Sequence, residues 1–168
     1  MRLSAALLLS AALLLSGCGY KLGEIRPTPM RSVRTLAVVN FKNITYEPRI
    51  EVLLADTLVK ALQLDGTYQI IPEGEADAIL SCTLTKVKRS PIRAVQDNVL
   101  ATSEFGLTLD AAYKVEDRVT GAVLMSGVAQ GKTTFFSGND LQTIERQAIS
   151  NAAADLANQI TVSVSEGW

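Results

Sequence analysis

The chain has 168 residues and a nearly balanced charge, with 16 basic and 17 acidic side chains. A chain of this length is normally one domain with a buried core. Binding driven by phosphate charge needs a basic surplus, so the net charge of −1 argues against nucleic acid as the main partner. The absence of histidine removes the usual general base and the commonest metal ligand. We therefore predict no catalytic residue, no metal site and no enzyme.

Residues 1–17 have the composition of an export signal, with Arg2 before an apolar run too short to span a bilayer. The run ends in Leu15-Ser16-Gly17-Cys18, which resembles the lipobox of bacterial lipoproteins. This resemblance implies cleavage before Cys18 and covalent diacylglycerol and N-acyl groups on that residue, with no other cofactor. The alternative is a plain secreted protein in which Cys18 is incidental.

A tether is predicted at residues 18–33, where prolines and charges occur without an apolar period. It leads into a single domain at residues 34–168. In enteric bacteria an aspartate after the lipidated cysteine retains lipoproteins at the inner membrane, whereas this chain has Gly19 there. If those sorting rules apply, the protein is lipid-anchored in the outer membrane on its periplasmic side.

Cys82 is the second and last cysteine of the chain. If Cys18 is tied up as a thioether, Cys82 has no partner for a disulfide. Its alternation with Ala78, Leu80 and Leu84 predicts a small buried strand residue rather than a reactive nucleophile.

The first predicted elements are a short buried strand at residues 35–41 and a turn-like segment at 42–45. Apolar residues from Ile50 to Leu62 then recur on one face of an amphipathic helix, with Gly66 as its C-terminal cap. A short strand is predicted at 68–71, before Pro72.

The strongest strand patterns lie in the second half of the chain, at residues 78–87 and 105–115, where apolar and polar residues alternate. Turn residues at 117–121 and a returning arm at 122–130, with a candidate extension at 132–136, predict an antiparallel hairpin. Asn139 or Asp140 then caps a second amphipathic helix running to Ile160, whose alanine-rich middle permits close packing on a sheet.

The order β-α-β-β-β-β-α predicts an α+β fold. We expect a mostly antiparallel sheet of four to five strands, with the two amphipathic helices packed on one face. The other face is lined by Thr, Ser, Lys and Asp and is left to solvent or to a partner.

A phosphate-binding loop is suggested by residues 127–133, but the segment is one residue short of the motif. The residues that follow open no helix, whose N-terminus the motif needs to gather its backbone amides. We interpret the segment as a strand end carrying small residues.

Basic residues are concentrated at positions 86–93, which we place at the end of a strand and into a loop. The four are Lys86, Lys88, Arg89 and Arg93. Such a loop can bind phosphates or sugar acids through charge-assisted hydrogen bonds. Basic residues also protect a strand edge from mispairing, and the sequence leaves both interpretations open. Lys132, close to Phe135 and Phe136, is a second basic and aromatic spot.

Taken together, several segments of the chain resemble the LPS-assembly lipoprotein family, LptE. In chain order they are Gly17-Cys18-Gly19-Tyr20-Lys21-Leu22, Leu36-Ala37-Val38-Val39-Asn40-Phe41, Pro48-Arg49-Ile50-Glu51, Ala76-Asp77-Ala78-Ile79-Leu80, Phe135-Phe136 and Gly167-Trp168. Their order and spacing cover nearly the whole mature chain, and each segment alone is weakly specific.

The resemblance implies a lipoprotein that forms a 1:1 complex with an LptD-type outer-membrane β-barrel. It would plug the barrel, help to assemble it, and take part in inserting lipopolysaccharide into the outer leaflet without making or breaking a bond. Lipopolysaccharide carries phosphates and core sugar acids, so the candidate binding residues are Lys86, Lys88, Arg89, Arg93 and Lys132. The first alternative is a periplasmic accessory lipoprotein that activates a peptidoglycan synthase or assembles another secretion channel, and an enzyme of unknown type is the third choice.

Overall fold

The computed structural model describes residues 26–39, 41–95, 98–138 and 140–167. The signal at 1–17, Cys18 and Asn139 therefore lie outside the described residues. Within them, six strands and two helices follow a short 3-10 turn at Thr28–Met30. In chain order they are β1 (Thr35–Val38), β2 (Lys42–Asn43), α1 (Ile50–Asp65), β3 (Gln69–Ile70), β4 (Ala78–Val95), β5 (Asn98–Asp117), β6 (Val123–Phe136) and α2 (Leu141–Glu166).

The strands form one sheet in the order β3-β1-β4-β5-β6, with β2 paired to β4 beside β1. β4, β5 and β6 are antiparallel and contribute most of the paired residues. β1, β2 and β3 join in parallel, because α1 carries the chain back before β3 starts. The predicted α+β class is confirmed, and the sheet is mixed with one strand more than predicted. The additional strand, β2, has only two residues and lies where the sequence indicated a turn.

β4 and β5 are longer than their sequence patterns indicated, with 18 and 20 residues. The basic residues at 86–93 consequently lie inside β4, and their predicted placement in a loop is wrong. An irregularity in the pairing at Leu84/Lys86 explains the error. A β-bulge adds one residue to a strand and so shifts its alternation, which hides the continuing strand from a period-two pattern.

The core lies between one face of the sheet and the two helices. Its largest fully buried side chains include Leu54 and Leu58 from α1, Leu80 from β4, Leu107 from β5 and Leu156 from α2. α2 passes so close to β6 that a Cβ on Gly131 would meet Ala152 O at 2.0 Å. The predicted close packing of the alanine-rich helix is therefore confirmed.

The helix ends follow the sequence signals. Gly66 ends α1 with φ of +74°, a conformation that glycine adopts without steric cost. Asp140 caps α2, since its side chain accepts a hydrogen bond from the Thr143 N–H at 3.1 Å. The hydrogen bonds from Thr143 lower the pKa of Asp140 below its ordinary value.

The last part of the predicted tether is packed against the domain. Met30 is fully buried, and Arg26 donates hydrogen bonds to Val33 O at 2.6 Å and Thr67 O at 2.8 Å. The Arg26 guanidinium also lies over the ring of Tyr68. These contacts show that the residues just before β1 pack with the domain, which their proline-rich composition does not indicate.

Cys82 is a buried free thiol on β4, as its alternation with apolar residues predicts. Burial raises the pKa of Cys82 to about 12. The thiolate is the nucleophilic form of cysteine, so this side chain is chemically inert at neutral pH.

Candidate functional site

The face of the sheet opposite the helices is polar and open among the described residues. In β5 the odd-numbered side chains Leu107, Leu109 and Ala111 are buried, whereas Thr108 and Asp110 between them point to the other face. We call this second surface the outer face. It is the only large surface of the sheet that neither described helix covers.

Strand register brings Lys88 and Lys132 onto this outer face from two different strands. Lys88 of β4 is opposite Thr108 of β5, and Thr108 is opposite Lys132 of β6. Because neighbouring strands lie about 4.8 Å apart, the two lysine Cα atoms are separated by about 10 Å across the sheet. Residues 44 positions apart in the sequence thus form one row.

A second row lies next to the first and contains Lys86, Asp110 and Gln130 in register. All three lysines of the two rows are exposed. None of them takes part in the ion pairs found among the described residues. The two rows together therefore present three ammonium groups and one carboxylate, that of Asp110.

Arg93 lies on the same face, farther along β4. It is opposite Glu104 in the register, and its Nε is 3.9 Å from Glu104 Oε2. The Arg93 side chain is 73% exposed. An ion pair this long and this exposed contributes little free energy.

Arg89 is separated from the other four basic residues. It is opposite Leu107 and therefore faces the helices. Its guanidinium donates from Nη2 to Glu47 at 2.8 Å and from Nε to Glu145 of α2. The hydrogen bonds to Glu47 and Glu145 raise the pKa of Arg89 further. Through these two ion pairs, Arg89 connects β4 to the segment after β2 and to α2.

The two phenylalanines near Lys132 are divided between the two faces. Phe135 is buried and stacks on Phe105, with ring centroids 5.4 Å apart. Phe136 shares the outer side of β6 with Lys132 and is 60% exposed. An exposed aromatic ring beyond a row of lysines offers apolar contact next to charge.

Sequence reasoning missed the residues at the centre of the site. Thr108 and Asp110 were visible as the polar half of an alternating strand, but only the register places them between lysines. No pattern in the sequence indicates that Glu47 and Glu145 belong together, because they lie 98 positions apart and are connected only by their ion pairs with Arg89.

No group of three metal-binding side chains occurs among the described residues. No helix in the described ranges is long and apolar enough to cross a membrane. The residues 127–133, which suggested a phosphate loop, lie within β6. The lysines of the two rows place positive charge on the outer face of the sheet.

Two helices on one face of a single mixed sheet, with no described helix on the other face, place the domain in the α+β class. Within that class, the sequence profile of the LptE family, described as lipopolysaccharide-assembly, matches residues 33–163. The chain therefore belongs to the LptE lipopolysaccharide-assembly family. A search of curated protein sequences finds no match.

Solved structures of low sequence identity share the fold. A Xanthomonas campestris protein superposes with a TM-score of 0.58 at 12% identity, covering 80% of this chain and 85% of that one. PelC from Paraburkholderia phytofirmans, solved as a dodecamer, gives 0.52 at 18% identity over 79% and 88% of the two chains. A putative lipoprotein from Caulobacter crescentus gives 0.51 at 19% identity over 74% and 87%.

Proposed function

We propose that this protein is an outer-membrane lipoprotein, anchored by acyl groups on Cys18 and facing the periplasm. It plugs and helps to assemble an LptD-type β-barrel in a 1:1 complex, and it takes part in inserting lipopolysaccharide into the outer leaflet. Membership of the LptE family supports the assembly role. The role is one of binding, in keeping with a sequence that lacks histidine and a cysteine that is buried.

The observation that carries the lipid-binding part is the row formed by Lys88, Thr108 and Lys132. Lipopolysaccharide carries phosphates on its glucosamines and acids in its core. Each lysine ammonium is a point charge with three donors, and the Thr108 hydroxyl between them adds a neutral donor. Lys86 and Arg93 extend the same anion-binding surface along β4.

The fold also suits a plug. The lumen of a large barrel is polar, so a domain inside it needs polar outward surfaces and a core of its own. The outer face meets the first need, and the layer between the sheet and the helices meets the second. Acyl groups on Cys18 would hold such a plug at the membrane, because two or more chains give stable anchoring.

The barrel partnership is tested by copurification. Tagged protein extracted from membranes with mild detergent is expected to bring down one large outer-membrane β-barrel at 1:1 stoichiometry, measured by quantitative mass spectrometry. Recovery of a peptidoglycan synthase or another secretion channel in place of the barrel would refute the proposed partnership.

Lipid binding is tested by reversing the charge of the row. The double variant Lys88→Glu and Lys132→Glu is expected to weaken lipopolysaccharide binding at least about tenfold, because charge-assisted contacts are replaced by repulsion. Affinity is measured by titration with purified lipopolysaccharide. Lys60→Glu, on the exposed side of α1, reverses one charge away from the sheet and should bind as the unmodified protein does. Equal loss in both variants would reveal a nonspecific charge effect.

A further inference from the structure

One edge of β4 is open over about half of its length. β1 pairs with residues 78–80 and β2 with residues 83–84. The Ile44 N–H then donates to Leu84 O at 3.2 Å, after which the chain turns away toward α1. From Thr85 to Arg93, β4 is bonded to β5 on one side, and no described strand lies on the other. This stretch can accept the backbone hydrogen bonds of an added strand.

A groove of about 380 Å³ runs beside this edge. It is lined on one side by the segment from Ile44 to Glu47 and on the other by Thr85, Lys86, Val87 and Arg89. The ion pair between Arg89 and Glu47 joins the two sides, so the groove is formed before anything binds.

Exposed apolar side chains flank the open edge at both ends. Tyr46 is fully exposed and Ile44 is 59% exposed beside the groove, and Ile92 is 54% exposed at the far end of the stretch. These side chains offer apolar contact to a strand that is added at the edge.

We propose that this open edge of β4 binds an extended, acidic segment of a partner protein as an added β-strand. In this mode the backbone bonds supply affinity and the alternating side chains supply specificity. Lys86 and Lys88 project from the edge strand without an ion pair among the described residues, and Arg93 is mostly exposed. Opposite charges on neighbouring strands stabilise pairing, so acidic residues of the partner fit beside them.

A second copy of this chain fits the edge poorly. Two β4 edges paired with each other would bring Lys86 and Lys88 of one chain close to the same residues of the other. Like charges that face each other across strands are destabilising. Pro91 also lies on this stretch, and proline on an edge discourages indiscriminate pairing. The lysines of the edge therefore disfavour a basic strand, whereas an acidic segment neutralises them.

The open edge shares Lys86 and Lys88 with the proposed lipid-binding surface, so its test uses a ligand without lipid or phosphate and measures the backbone amides of β4. The probe is a synthetic peptide of ten residues that alternates glutamate and valine. Amide hydrogen exchange of the full-length protein, resolved by NMR, is expected to slow at alternate residues between 85 and 91 when this peptide is added. A peptide of the same length that alternates lysine and valine is expected to leave exchange unchanged.

Substitutions of exposed residues distinguish the contribution of charge to peptide binding from the contribution of apolar contact. The double variant Lys86→Glu and Lys88→Glu is expected to weaken binding of the acidic peptide about tenfold. Tyr46→Ala is expected to weaken it severalfold, because the ring flanks the groove. The matched controls are Lys60→Glu and Leu64→Ala, both exposed on α1, and neither should change the affinity.

Three results would overturn the inference. The first is an absence of protection with the acidic peptide. The second is protection of the same amides in the protein alone, independent of concentration, which would show that the chain covers its own edge. The third is protection that rises with protein concentration without peptide, which would identify a second copy as the occupant.

Discussion

Replacing Gly131 with alanine is expected to lower the free energy of unfolding by about 3 kcal/mol. The added Cβ would lie 2.0 Å from Ala152 O and 2.6 Å from Leu156 Cβ. Both atoms are close to the backbone of α2, so no flexible side chain can move aside. The helix would have to shift away from β6, and the contacts of Leu156 in the core would be loosened.

The change is measured by denaturant unfolding, with Gly74→Ala as the control. An alanine Cβ at Gly74 meets nothing within 4 Å, and the backbone there has no left-handed conformation. That variant is expected to unfold at the same denaturant concentration as the unmodified protein. If the two variants are equally stable, α2 does not pack on β6 as closely as described.

Reversing the charge of Arg89 is expected to cost about 1–2 kcal/mol of stability. The change removes two ion pairs and leaves Glu47 and Glu145 close to a third carboxylate. The expected loss of stability is small because the Arg89 side chain is 39% exposed, and solvent screens part of the interaction. Thermal unfolding of Arg89→Glu at low salt measures the loss, which should shrink as salt is added.

Lys88→Glu is the matched control, since it makes the same change one residue away on the outer face. We expect it to leave stability within about 0.5 kcal/mol of the unmodified protein while lipopolysaccharide binding falls. Arg89→Glu should instead lose stability, and its folded fraction should bind lipopolysaccharide as the unmodified protein does. A loss of binding without a loss of stability in Arg89→Glu would assign this residue to the ligand and not to the helix contact.

Strong periodic patterns made much of the fold predictable. Both helices appear where apolar residues repeat on one face, and Gly66 and Asp140 end and begin them as their chemistry indicates. β5 and the first half of β4 follow a strict alternation. β2 was missed because two residues carry no period, and its pairing depends on Thr83 and Leu84 being present beside it.

The candidate site was predictable only as a list of basic residues. The sequence places Lys88 and Arg89 next to each other, yet one projects from the outer face and the other pairs with Glu47 and Glu145. It places Lys132 far from Lys88, yet both flank Thr108. Neighbouring residues in one strand point their side chains to opposite faces of the sheet. Residues that lie opposite each other on neighbouring strands point theirs to the same face.

The sequence by itself determined the fold class, the resemblance to lipoproteins of lipopolysaccharide assembly, and the position of Cys82 on the buried side of a strand. These follow from local periodicity, short motifs and composition, which need no contact between distant residues. The tertiary structure decided which basic residues share a surface and which edge of β4 is open. The irregularity after Leu84 shifts the alternation of β4 by one residue, which sends the side chains from Lys86 to Pro91 to the faces opposite those that the earlier alternation gives.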